Sequence, residues 1–218
     1  MYIDIHTHNP KVSNKSIVSM GHSTAHSKFM FSAGIHPWLA SDFIKNSIEE
    51  TLTKLVDHKN FFALGEIGID NSKTESKDLQ LDLFEKQIIF AKKKNISLLI
   101  VHCVRALNEV LKVIKDNHYQ GRIIFHDANF NEQETDRIVN GGHYLSFGKN
   151  LFKDRSKAAR TITVDRISHY FFETDDSDRT IEEVYSQAAT LLKINQDDLE
   201  RQIEKNFQKL NSERKVSL

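Results

Sequence analysis

The chain has 218 residues, with thirty Lys and Arg balanced by thirty Asp and Glu, a length suited to one domain with a substantial core. Zero formal net charge argues against a strongly basic nucleic-acid scaffold, so any phosphate contact must rest on a local cluster or on metal. A single cysteine, Cys103, excludes an internal disulfide partner, and the longest apolar run is far too short for a membrane span. The opening Met1-Tyr2-Ile3-Asp4 sets a carboxylate where a secretion signal needs apolar residues, which predicts a cytoplasmic protein with no membrane association.

One domain is expected over residues 1–210, followed by a polar tail at 211–218. In chain order, strands are predicted at 2–6, 16–20, 28–34, 60–65, 96–102, 121–126, 143–147 and 169–174. Helical spacing lies between them: Leu79, Leu83, Ile88 and Phe90; Ala106, Val110 and Ile114; Ile181, Val184 and Ala188; and, from about Asp197, Leu199, Ile203, Phe207 and Leu210. Strands alternating with long helices imply parallel βαβ units. No Gly-rich phosphate loop follows the first strand, which favours a (β/α)₈ TIM-like barrel of class α/β over a doubly wound sheet. The N-terminal quarter is too short for regular crossovers, so the first two helices are expected to be missing. The segment 16–20 would then pair antiparallel with 28–34 or form no strand. Asp178 suits the cap of a helix starting near Thr180.

Eleven histidines form an unusual surplus, and the informative ones sit at predicted strand ends. His6 and His8 close the first strand, His36 follows the third, and Glu66 ends the fourth. His102 and His126 end the next two, and Asp175 follows the last. In a (β/α)₈ barrel such ends share one face, where active sites lie. His6-Thr7-His8 has the i, i+2 spacing that puts two imidazoles on one side of a strand, a ligand pair for a divalent cation. Glu66, within Gly65-Glu66-Ile67-Gly68-Ile69-Asp70, supplies an oxygen able to bridge two cations, and the glycines let the chain turn there. Asp70 stays open between contact with substrate or with a ligand and plain loop structure. His102 and His126, taken singly, are as readily hydrogen-bonded core histidines as ligands. Asp175 can ligate a cation and accept a proton from an attacking water, a catalytic role shared with Glu66. Mixed imidazole and carboxylate donors suit two divalent ions, Zn, Mn or Mg. Residues 149–166 hold six basic side chains, including Lys149 and Lys153, against two acidic ones. They are expected either to hold a phosphate backbone or to form a solvated face.

Together these residues resemble the TatD family of metal-dependent hydrolases, within the amidohydrolase-like barrels. The motifs run from Ile3-Asp4-Ile5-His6-Thr7-His8 through Gly34-Ile35-His36-Pro37 and Gly65-Glu66-Ile67-Gly68-Ile69-Asp70. They continue in Phe84-Glu85-Lys86-Gln87, His102 with Arg105, Phe125-His126, Gly142-His143-Tyr144-Leu145-Ser146-Phe147-Gly148 and Glu173-Thr174-Asp175, and close on Asn206-Phe207. The resemblance implies a barrel in which His6, His8 and Asp175 hold one metal, His102 and His126 the other, with Glu66 between. It implies DNA as substrate and DNase activity, or alternatively removal of D-amino acids from tRNA. A non-catalytic metal-binding partner in a larger assembly is a third reading. The chain departs from the family pattern where Arg105 is displaced by one, Trp38 replaces the second histidine of His-Pro-His, and Asp127-Ala128-Asn129 follow His126. Trp38 either stacks on a base or caps the shortened side of the barrel. Substrate contacts are expected from His36, Trp38, Asp70, Arg105, Lys149 and Lys153.

Overall fold

Alternation of short apolar strands with amphipathic helices runs through the whole computed structural model, which describes residues 1–11, 14–23 and 28–216. The strands are β1 (Ile3–Thr7), β2 (Lys15–Ser19), β3 (Met30–Ala33), β4 (Phe61–Asp70), β5 (Leu98–Val104), β6 (Arg122–Phe125), β7 (Tyr144–Phe147) and β8 (Tyr170–Phe172). The helices are α1 (Ile48–Val56), α2 (Lys77–Lys93), α3 (Leu107–Asp116), α4 (Glu132–Asn140), α5 (Lys157–Thr161), α6 (Ile181–Leu192) and α7 (Gln196–Val216). The sheet has eight strands in the order β1 to β8, the (β/α)₈ class that the alternation predicts. Helix α7 runs into the expected polar tail, and residues 217–218 lie outside those described.

Two compact units divide the chain, and the boundaries fall within β2 and β6. The first comprises Met1–Val18 and Ile124–Val216. Its seam joins the ends of the chain: Asp175 N–H donates to His6 O, and His8 N–H donates to Asp175 O. Below that seam Asp4 is buried, with Thr174 donating through both its N–H and its hydroxyl to the two carboxylate oxygens. Burial pushes the Asp4 carboxyl up to about 7 against those two hydrogen bonds. Ile5, Phe125, Leu145, Phe172, Tyr185 and Ile203 fill this core.

Ser19–Ile123 form the second unit, cored by Ile35, Leu52, Phe62, Phe84, Ile88 and Ile100. Its long strand β4 corrects the sequence reading, which ended at residue 65. Gly65 and Gly68 do not turn the chain. They let β5 approach, and at Gly68 (φ +146°) an added Cβ would stand 1.9 Å from His102 O. Glu66 and His102 therefore lie within their strands, short of the ends.

Two further expectations change. Segment 16–20 forms β2, which pairs parallel with β1. Among the described residues no helix occurs between β1 and β2 or between β2 and β3, as expected for the trimmed quarter; residues 24–27 lie outside them. The cap of α6 is Thr180, not Asp178. Its side chain accepts from Glu183 N–H while Glu183 returns a bond to Thr180 N–H, and this reciprocal pair satisfies more of the first turn than a lone aspartate would.

Helix α2 positions the strand ends through two glutamines seven residues apart on its inner face. Gln87 accepts from Ile35 N–H at 2.8 Å and donates to Ile35 O at 2.9 Å. Gln80 makes the same pair with Asp70 N–H and O. Each amide thus replaces a missing backbone partner beside a candidate site residue. Gln87→Leu, which keeps the volume but strips both bonds from buried Ile35, is expected to lower unfolding free energy by about 1–3 kcal/mol. A urea denaturation midpoint equal to that of the wild type would contradict this role.

Candidate metal centre

In the first unit His6 of β1 and His8, just past its end, meet the residues that follow β6 and β8. His6 Nε2 lies 3.6 Å and His8 Nε2 3.5 Å from Asp175 Oδ1. The His126 ring packs on His6 with centroids 4.4 Å apart, and His126 Nδ1 lies 3.5 Å from Glu173 Oε1. Asp175 (φ +52°) and Asp127 (φ +42°) occupy the left-handed region, which Asp tolerates better than most residues.

Lys149 adds a positive charge here. Its ammonium lies 3.0 Å from Asp175 Oδ2 and 2.6 Å from Asp176 Oδ1. Burial pushes the Asp175 carboxyl up, but the His8 hydrogen bond and the charges of His126, His6 and Lys149 outweigh it and hold it far below the usual range. Asp127 behaves oppositely: burial, reinforced by the Glu173 charge, raises its carboxyl to about 6.

In the second unit Glu66 Oε1 faces two imidazoles, His36 Nε2 at 3.1 Å and His102 Nδ1 at 2.9 Å. Trp38 N–H donates to His36 Nδ1. The remaining His36 proton must then sit on Nε2 and point at Glu66, so His36 in this geometry orients the carboxylate as a donor. Glu66 itself is 7% exposed, an environment in which a carboxylate needs donors or a cation beside it.

Both clusters suit a divalent cation. The candidate donor atoms of His6, His8 and Asp175 lie within 4.8 Å of one another, as do those of His126, Glu173 and Asp175 and of His36, Glu66 and His102, where the proton on His36 Nε2 leaves Glu66 and His102 as the donors. Bonds of about 2.1 Å in tetrahedral array put neighbouring ligand atoms roughly 3.4 Å apart, close to the spacing of both imidazoles from Asp175.

Among the expected substrate contacts, Trp38 is 49% exposed, with Lys73 Nζ 4.1 Å over its ring. Asp70 is buried. Arg105 is exposed, and its carbonyl accepts from Asn71. Lys153 donates to Asn150 Oδ1. Within 149–166, Lys157 pairs with Glu134 and Arg166 with Asp136, so part of the basic run is matched internally. The sequence reading gave no role to Glu173. It is fully buried, receives Asp127 N–H on Oε1, and keeps Oε2 without a hydrogen bond among the described residues. Its i, i+2 relation to Asp175 was the available signal, the same one that singled out His6 and His8.

A crystal structure of the Escherichia coli TatD homolog YjjV superposes with a TM-score of 0.81 at 20% identity, covering 96% of this chain and 97% of that one. A TatD family hydrolase from Entamoeba histolytica gives 0.80 at 14% identity, with the same coverage. An amidohydrolase from Saccharomyces cerevisiae gives 0.68 at 13%, covering 96% and 99%. At such identities the likeness establishes the fold. In sequence, the chain is 28% identical over 151 residues to the uncharacterized metal-dependent hydrolase YabD of Bacillus subtilis. That match takes in 67% of this chain and 58% of the relative, so the chain spans little more than half of that protein's length. The profile of the TatD related DNase family matches residues 3–212, and the chain belongs to that family.

Proposed function

We propose that the protein is a divalent-metal-dependent hydrolase that cleaves phosphodiester bonds in DNA. The observation that carries this reading is the pair of imidazole–carboxylate clusters, one in each unit, each around a buried carboxylate, in or next to the strands of a TatD-related chain. His6, His8 and Asp175 would hold one ion; Glu66 and His102 would take part in holding the other, and His126 completes the proposed ligand set. Divalent ions in such a site supply a water of lowered pKa and neutralise charge on the phosphate oxygens. The chain does the rest. Asp175 accepts the proton released by the attacking water, and Lys149 is one of the groups that keep that carboxylate ionised. Trp38 offers an aromatic face to a base, and Lys73 and Lys153 offer charge to the phosphates.

A second reading keeps the clusters and changes the bond. Lys149, Lys157 and Arg166 are engaged by the protein's own carboxylates, which leaves less positive charge for a polynucleotide backbone. A compact ester such as a D-aminoacyl-tRNA linkage suits that arrangement.

Stripping the protein with a chelator and reloading it with Zn²⁺ or Mn²⁺ should restore bound metal in the wild type. His6→Ala and Glu66→Gln should each lose bound metal by elemental analysis. The loaded enzyme should cleave single- or double-stranded oligonucleotides; intact DNA with rapid D-aminoacyl ester turnover would favour the second reading. Loss of one stacked base costs about 1–3 kcal/mol, so Trp38→Ala should raise KM for an oligonucleotide roughly tenfold and leave metal content unchanged. An unchanged KM would remove Trp38 from the substrate path.

A further inference from the structure

Asp70 closes β4, is 2% exposed, and has no oxygen to spare. Its Oδ1 accepts from Ser72 N–H at 2.8 Å and from Ser72 Oγ at 2.5 Å. Its Oδ2 accepts from Trp38 Nε1–H at 2.9 Å and lies 3.2 Å from His102 Nε2. Gln80 fixes the Asp70 backbone from behind. An indole N–H only donates, so Oδ2 stands as the acceptor and His102 Nε2 must present a proton to it. A neutral imidazole carries one proton, so the lone pair is left on Nδ1, the nitrogen that faces Glu66.

We propose that Asp70 is a positioning residue that holds His102 in the tautomer offering Nδ1 to a cation, and that the same oxygen ties the exposed Trp38 to that ligand. The inference rests on the metal-dependent reading above. It assigns Asp70 to orienting the site instead of touching substrate. It also gives the residue that departs from the family pattern, Trp38, a fixed relation to the cation: the Trp38 and His102 ring centroids are 5.9 Å apart, edge to face.

Trp38 is the chain's sole tryptophan, so its emission reports this cluster without interference. Chelator-stripped protein would be titrated with Co²⁺, a quencher, following Trp38 emission alongside bound cobalt by elemental analysis. Wild-type emission should fall as the ion binds. In Asp70→Asn, Ser72 keeps the carboxamide oxygen and turns the NH₂ toward His102 Nε2, which favours the tautomer with its proton on Nδ1. Co²⁺ binding through His102 should then weaken about ten- to hundredfold with the thermal midpoint preserved. Ser72→Ala, an exposed change that loosens the same carboxylate from its far side, should weaken it about fivefold. Asp70→Asn binding within twofold of the wild type with equal quenching would overturn the inference and leave the metal reading standing. If Asp70→Asn fails to fold, unchanged affinity and quenching in Ser72→Ala overturn it instead. A wild type that takes up no cation sinks the metal reading and this inference together.

Discussion

A carboxylate buried next to an imidazole is stable only if each oxygen meets a proton or a cation, because leaving charge uncompensated in a low-dielectric interior costs several kcal/mol. Glu66, Asp70, Glu173 and Asp175 are all under 10% exposed, and each lies beside a histidine. That constraint governs the rest of the architecture near the strand ends. Asp70 meets it entirely with protein donors. Asp175 meets it with Lys149 and two imidazoles. Glu66 faces two histidines whose other ring nitrogens are engaged by Trp38 and Asp70, whereas Glu173 receives Asp127 N–H on one oxygen and retains the other with no hydrogen bond among the described residues.

Support for these groups comes from outside the clusters. The two glutamines of α2 brace the backbone at Ile35 and Asp70, so one helix face holds the loop carrying His36 and the strand end carrying Asp70. In the first unit, Asp4 and Thr174 latch β1 to the segment after β8, which brings His6 and His8 against Asp175. Helix packing, strand closure and ligand geometry are thus one mechanical system within each unit. Ligand spacing close to that of a tetrahedral edge follows from backbone bonds made elsewhere.

Much of this was legible in the sequence. All eight strands lie within a few residues of their predicted places, because runs such as Leu98-Leu99-Ile100-Val101 are apolar on both faces, as buried parallel strands are. Helix α1 carries Ile48, Leu52 and Leu55 at i, i+4 and i+7 but was absent from the periodic stretches. Helix α4 has only Thr135 and Ile138 buried, so its start is marked by the Asn131–Glu134 capping box instead of by periodicity. Reading Gly65 and Gly68 as turn residues failed because a glycine in a strand also serves close backbone approach, and sequence alone does not tell these apart. Glu173 and the double role of Asp70 depend on which atoms face each other, and side-chain spacing along one strand cannot supply that.

The central claim is that these clusters are cation sites assembled by the fold. Anomalous diffraction from crystals of the Mn²⁺- or Zn²⁺-loaded protein tests it most directly. The account predicts one peak ligated by His6, His8 and Asp175 and a second bonded to Glu66 and to His102 through Nδ1. Peaks confined to surface carboxylates, or full-occupancy crystals in which those side chains bond only to one another, would contradict it.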